Sequence, residues 1–369
     1  MKKGLVLLLS LVLVVSMFTA CGKKNEATST ETTPEVTEAA ATEAPEATEA
    51  PEATEAPATA DAAKTGLAVI SSIAKSTSAG EKEGLGQVDS YVAAVLVGAD
   101  GKILDCSIDA AQTKINFSAE GKITTDLATE FKTKQELGTD YGMLKASGIG
   151  KEWNEQADAF AAYVVGKTVD EVKGIAVNEE GVAADADLAS SVTVHVGDLI
   201  AVVEKAVANA KELGATSADK LGLGVATNIA KSKDATADEA GLAQAYSNYT
   251  AVTTDAAGKI TSCTIDASQS NVNFDAKGAV TSDLAAPLQT KQELGAGYGM
   301  AKASSIGKEW FEQANALAAY VVGKTVDEVK GIALTEEGTP ADADLASSVT
   351  VHIGDYTNVI DKAVANAAK

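Results

Sequence analysis

Two segments of this chain carry hydroxyls, a carboxylate and an imidazole in the same order. The first is Asp187-Leu188-Ala189-Ser190-Ser191-Val192-Thr193-Val194-His195. The second is Asp344-Leu345-Ala346-Ser347-Ser348-Val349-Thr350-Val351-His352. A threonine hydroxyl can be esterified or can donate to a phosphate, and an imidazole two residues on can donate to the same anion. His195 and His352 are the chain's only histidines. General-base catalysis would also need an oriented nucleophile, and no Ser/His/Asp set with suitable spacing is visible. A second repeated set is Thr133-Lys134-Gln135-Glu136-Leu137-Gly138 with Tyr141 and Gly142, matched by Gln292, Glu293, Leu294, Gly295, Tyr298 and Gly299. Glu136 and Glu293 offer carboxylates, and Tyr141 and Tyr298 offer flat faces for a ring system. The plainer reading is a turn closed by one aromatic. Gly166-Lys167-Thr168 lacks the preceding glycine spacing of a phosphate-binding loop.

Composition narrows the chemistry. Lys+Arg total 30 against 52 Asp+Glu, a formal net charge of -22, and every basic residue is a lysine. Bidentate guanidinium clamps are therefore absent, and nucleic acid is excluded as a partner. Cys106 and Cys263 occupy equivalent places and alternate with apolar neighbours, as buried free thiols do. No CxxC or Cys/His cluster points to a metal.

The N-terminus reads as an address. Two lysines precede an apolar run that ends Phe18-Thr19-Ala20-Cys21, the pattern of a secretory signal. That end resembles a bacterial lipobox, which implies cleavage after residue 20 and lipidation of Cys21. The protein would then be held by its lipid on the extracytoplasmic face of the cell membrane. Residues 21–64 form a Thr/Glu/Ala/Pro stalk with few large apolar side chains and are expected to be disordered.

The rest is a tandem repeat, with copies expected at 65–213 and 214–369. Thr193 and Thr350 are separated by the same interval as Trp153 and Trp310 (350 − 193 = 157). Each copy begins with a segment expected to be a short helix, Leu67 to Lys75 in the first. A hairpin about Ala99-Asp100-Gly101 follows, then a hairpin-like piece from Ile115 to Asp126. A helix is expected from Gly150 to Val165, with Trp153, Ala157, Phe160, Ala161 and Val164 on one face. Thr168 to Glu171 has a capping-box pattern. Val192, Val194 and Val196 alternate with Thr193 and His195, which predicts a strand, and Asp198 is expected to cap the helix after it. The mixed order predicts an α+β fold, an antiparallel sheet flanked by helices in each copy, with each copy folding alone.

This order resembles the FMN-binding domain of the flavinylated subunits of sodium-pumping quinone reductases and Rnf complexes, and of extracellular electron-transfer lipoproteins. The likeness rests on the DGKI or AGKI hairpin, on TKQELGTDYGM with KEWNEQADAFAAYVVGKT, and on the Asp187 to Thr193 segment. That last segment is similar to the family's Asp-x-x-Ser-Gly-Ala-Thr motif, in which a flavin transferase joins FMN to the threonine. The resemblance implies FMN at Thr193 and Thr350, with Asp187, Ser190, Asp344 and Ser347 in the motif, and a quinol-linked redox partner. Ser191 and Val192 replace the motif's glycine and alanine, as do Ser348 and Val349. Serine does not freely take positive φ and valine favours regular strand, so the substitution speaks against the covalent bond. The competing expectation is a non-redox cell-surface binding module that has lost the flavin.

Overall fold

The computed structural model describes residues 61–369. The signal segment, Cys21 and nearly all of the stalk lie outside them. Strands β1 (Lys64–Ser72), β2 (Gly84–Val97) and β3 (Ile103–Phe117) form one antiparallel sheet in that order. Strands β4 (Lys220–Asn228), β5 (Gly241–Thr254) and β6 (Ile260–Phe274) repeat it. The first sheet is followed by helices α1 (Lys134–Leu137), α2 (Trp153–Val164), α3 (Val169–Lys173), α4 (Ala186–Ala189) and α5 (Gly197–Ala208). The second is followed by α6 (Lys291–Leu294), α7 (Trp310–Val321), α8 (Val326–Lys330), α9 (Ala343–Ala346) and α10 (Gly354–Ala367). The fold is α+β, with two antiparallel three-stranded sheets flanked by helices. Among the described residues no helix is long and apolar enough to cross a membrane.

The segment expected to be a helix at Leu67 to Lys75 is instead β1, extending only to Ser72. Leu67 and Val69 face the other sheet, while Ala68 faces the repeat's own helices. Burial on both faces gives a continuous apolar run, which periodicity alone cannot tell from a helix. Glycine also matters here. A Cβ on Gly66 would overlap the Ala206 carbonyl oxygen, and one on Gly222 that of Ala363. The glycines let each edge strand lie against the backbone of its covering helix.

Each repeat has a helix-facing core. Val95, Ile103 and Ile108 pack there with Trp153, Phe160, Val164, Leu199 and Val203. As expected, Cys106 and Cys263 are buried free thiols, and Trp153 and Trp310 are buried at the start of α2 and α7. Thr168 caps α3 by accepting from the Glu171 N–H, as its capping box predicts. The hairpin-like piece is less than a hairpin: β3 ends at Phe117, and only an isolated bridge joins Phe117 to Ile123.

The opposite faces of the sheets pack on each other. Leu67, Val69, Val92, Ala94 and Leu96 share an interior with Leu221, Leu223, Val225, Tyr249 and Ala251. The layers therefore run helices, sheet, sheet, helices, and residues 61–369 belong to one compact unit. One face of each sheet is thus covered by the other repeat. The packing is reciprocal. Lys205 pairs with Glu293 at 2.5 Å, and its equivalent Lys362 with Glu136 at 2.6 Å. The Ala79 N–H donates to the Gly278 carbonyl at 2.7 Å, and the Ala235 N–H to that of Gly121 at 2.7 Å. Such self-complementary exchange is the signature of an isologous two-fold interface, here within one chain.

Candidate functional site

The Asp187 to His195 segment is a loop between two helices, not a strand. Its first residues form the single turn α4, capped by Asp185, whose carboxylate accepts from the Asp187 and Leu188 N–H groups at 3.1 and 3.0 Å. Asp187 therefore stands exposed in the first turn. Ser190 donates its hydroxyl to the Asp187 carbonyl at 2.7 Å, and Ser347 does the same to Asp344 at 2.7 Å. The valines that suggested strand alternation are core plugs. Val192 and Val196 are fully buried beneath the loop, and an irregular backbone turns both inward.

Thr193 is held by Gln156 of α2, a fully buried side chain. The Gln156 carbonyl oxygen accepts from the Thr193 N–H at 2.8 Å, the Thr193 hydroxyl at 3.2 Å and the Val194 N–H at 3.1 Å. Gln313 takes the Thr350 N–H at 2.8 Å and hydroxyl at 3.2 Å. The amide of Gln156 is itself oriented by donation to the Ser147 hydroxyl and the Lys151 carbonyl, each at 3.1 Å. Both threonines are half-buried, while His195 and His352 are exposed. The His195 imidazole packs over Gly181, which has φ +80° in its turn.

Asp198 and Asp355 do not cap the following helices. Val196 and Ile353 stand at the N-caps of α5 and α10, and neither helix has a side-chain cap. Both aspartates lie in the first turn instead. The first N–H groups of a helix have no intrahelical acceptor and favour an anion. The aspartate carboxylate in the same turn opposes one.

The second set separates from the first. Thr133 and Glu136 form a capping box around α1, with the Thr133 N–H donating to Glu136 at 2.9 Å. Glu136 and Glu293 then reach across to lysines of the other repeat rather than towards Thr193 and Thr350. Tyr141 and Tyr298 are half-buried, each with a lysine over its ring. Tyr141 packs on the buried Lys134 ammonium at 4.7 Å, with Trp153 at 5.0 Å and Tyr91 at 5.9 Å. Lys291 lies over Tyr246, Tyr298 and Trp310 at 4.7, 4.6 and 5.2 Å, and donates to the Tyr246 hydroxyl at 3.0 Å. Burial pulls Lys291 down to about 8, against the opposing charge of Asp266.

Behind α1 and α6 sit two buried carboxylates that the sequence reading missed. Asp109 of β3 accepts from the Ala110 N–H at 2.7 Å and the Gln135 N–H at 3.2 Å, and also from Thr133. Burial nonetheless pushes it up to about 7, and its counterpart Asp266 to about 6. An Ile-Asp step in an apolar strand, followed later by a capping box, was the available signal for both. Gln156 gave a weaker one, as a polar residue on the buried face of α2.

No family model, curated protein or solved structure matches this chain. Among the described residues, no group of three His, Cys, Asp or Glu could hold a metal.

Proposed function

We propose that this protein is a lipid-anchored, extracytoplasmic carrier of FMN, with one site at the Thr193 loop and one at the Thr350 loop. In this reading it relays electrons between a quinol-linked partner at the membrane and an acceptor outside. The supporting observation is the repeated pairing of a half-buried threonine with an uncapped helix start three residues later. Uncapped first-turn N–H groups suit the phosphate end of the cofactor, and the threonine hydroxyl would give up its donation to the glutamine on being joined to it. FMN would supply one- and two-electron chemistry at its ring. Gln156 and Gln313 would position the threonines, and His195 and His352 would be available as phosphate donors. Tyr141 and Tyr298 each already carry a lysine over the ring, so a flavin ring would meet them only on the opposite face or at the edge.

Expression with a flavin transferase and measurement of intact mass tests this. Two added FMN units are expected, with one lost in each of Thr193→Ala and Thr350→Ala. An unmodified mass together with no FMN uptake in titration overturns it. The anchor has a separate test, since Cys21→Ala should release the protein into the medium or leave it unprocessed.

A second reading, a non-redox surface binding module, is favoured by one observation. A cleft of about 660 Å³ lies where the repeats meet, lined by Glu293 and Lys205 but by neither threonine. An absorbance scan of natively purified protein separates the two, because only the first predicts the bands of oxidised flavin.

A further inference from the structure

The reciprocal packing produces two equivalent clefts along the seam, and they have diverged. One lies between β1 and α5 of the first repeat and β6, α6 and α7 of the second, with a volume of about 660 Å³. Its twin, with Asp109, Gln135 and Glu136 in place of Asp266, Gln292 and Glu293, holds about 270 Å³. Helix α10 also runs for 14 residues where α5 runs for 12, and Lys369 lines the smaller cleft. At the larger cleft the chain leaves α5 and turns away into the second repeat. There the Lys211 backbone pairs with Thr65, its N–H donating at 3.0 Å and its carbonyl accepting at 2.9 Å.

The polar groups have diverged too. Asp158 of the smaller cleft becomes Asn315 in the larger one, and the second lysine differs in place: Lys211 in the larger cleft, Lys369 in the smaller. One acid has thus been exchanged for an amide at an equal number of lysines, in a chain whose formal net charge is -22. Lys205 and Glu293 neutralise each other at the rim. Asn315 accepts from Gln292 at 2.9 Å through its carbonyl oxygen, which directs its amide N–H groups elsewhere. The walls between these groups are apolar: Leu67, Val69, Ala318 and Val322. A volume in this range, with apolar walls and a few polar groups, is that of a small-molecule site.

We propose that the larger cleft binds a small organic monoanion with an apolar body, the anionic head taken by Lys211 and Asn315 and the body by the Leu67 and Val322 walls. This gives a ligand class to the binding-module reading and is independent of flavin at the threonine loops. Octanoate is the probe, titrated by calorimetry into the folded extracytoplasmic chain from residue 61 onward, with octylammonium as the charge-reversed control. One saturable octanoate site per chain is expected. It should be abolished by Ala319→Trp, which fills the cleft from an exposed position. It should weaken about tenfold in Lys211→Glu, as expected for removing a favourable charge contact and adding a repulsive one. Asp158→Asn, in the smaller cleft, should leave it unchanged. No saturable octanoate binding, or binding indifferent to both Ala319→Trp and Lys211→Glu, overturns the proposal. Preferential octylammonium binding overturns the ligand class while leaving a binding module standing.

Discussion

Phe117 and Phe274, equivalent residues at the ends of β3 and β6, stack on each other with ring centroids 4.1 Å apart and planes within 2°. Equivalent residues meet each other only near a two-fold axis, so this pair marks where the repeats' symmetry passes through the molecule. Each ring is seated by a glycine. A Cβ on Gly84 would overlap the Phe117 ring, and one on Gly241 that of Phe274. Both rings are fully buried, so Phe117→Ala should destabilise by about 3–5 kcal/mol. Phe274→Ala should match it, and the double variant should lose less than the sum because the partners are shared. Urea denaturation of the four proteins checks this, and strict additivity would count against the stacked pair as a unit.

The shared interior predicts the behaviour of a single repeat. A fragment covering residues 61–213 would expose Leu67, Val69, Val92, Ala94 and Leu96, which the second sheet now covers. Because the interface is self-complementary, two copies of the fragment can satisfy each other. Sedimentation should therefore show a dimer or larger species. A stable, cooperatively folding monomer would mean that each helix-facing core suffices alone.

Asp109 sets a pH dependence. Its folded value of about 7 lies above the ordinary carboxylate value near 3.9. The folded state therefore binds the proton more tightly, and stability from this group is fully present below about pH 4 and lost as pH rises through about 7. Asp109→Asn keeps the carbonyl that accepts from Ala110 and Gln135 and removes the buried charge. The variant should exceed the parent at pH 8 by on the order of a few kcal/mol, with the gap mostly closed by pH 5. Urea midpoints at the two pH values decide it, and a gap that stays constant would exclude the titration.

Gln156→Leu should loosen the Thr193 loop without unfolding the chain. It strands the Thr193 and Val194 N–H groups and the Thr193 hydroxyl, at a cost of about 1–3 kcal/mol. Amide exchange at Thr193 and Val194 should accelerate while Thr350, held by Gln313, keeps its protection. Equal acceleration in both loops would indicate global destabilisation instead.

Much of this architecture was legible in the order of residues. The constant interval between equivalent residues exposed the duplication. The Ala-Asp-Gly turn placed the long hairpin, Thr168 and Glu171 placed α3, and the spacing from Trp153 to Val164 placed the buried face of α2. These features are local, fixed by backbone preference and by which side of an element is apolar. Three others depend on what a segment packs against. Leu67 to Ser72 is a strand because a second sheet covers its outer face, and the sequence carries the same alanines and valines for a buried helix. Val192 and Val196 alternate, yet they plug a loop whose backbone is held by Gln156, thirty-seven residues away. Glu136, Lys362 and the two clefts acquire meaning only once the repeats close face to face. That pairing joins residues 226 positions apart, and no local pattern specifies a contact at that range.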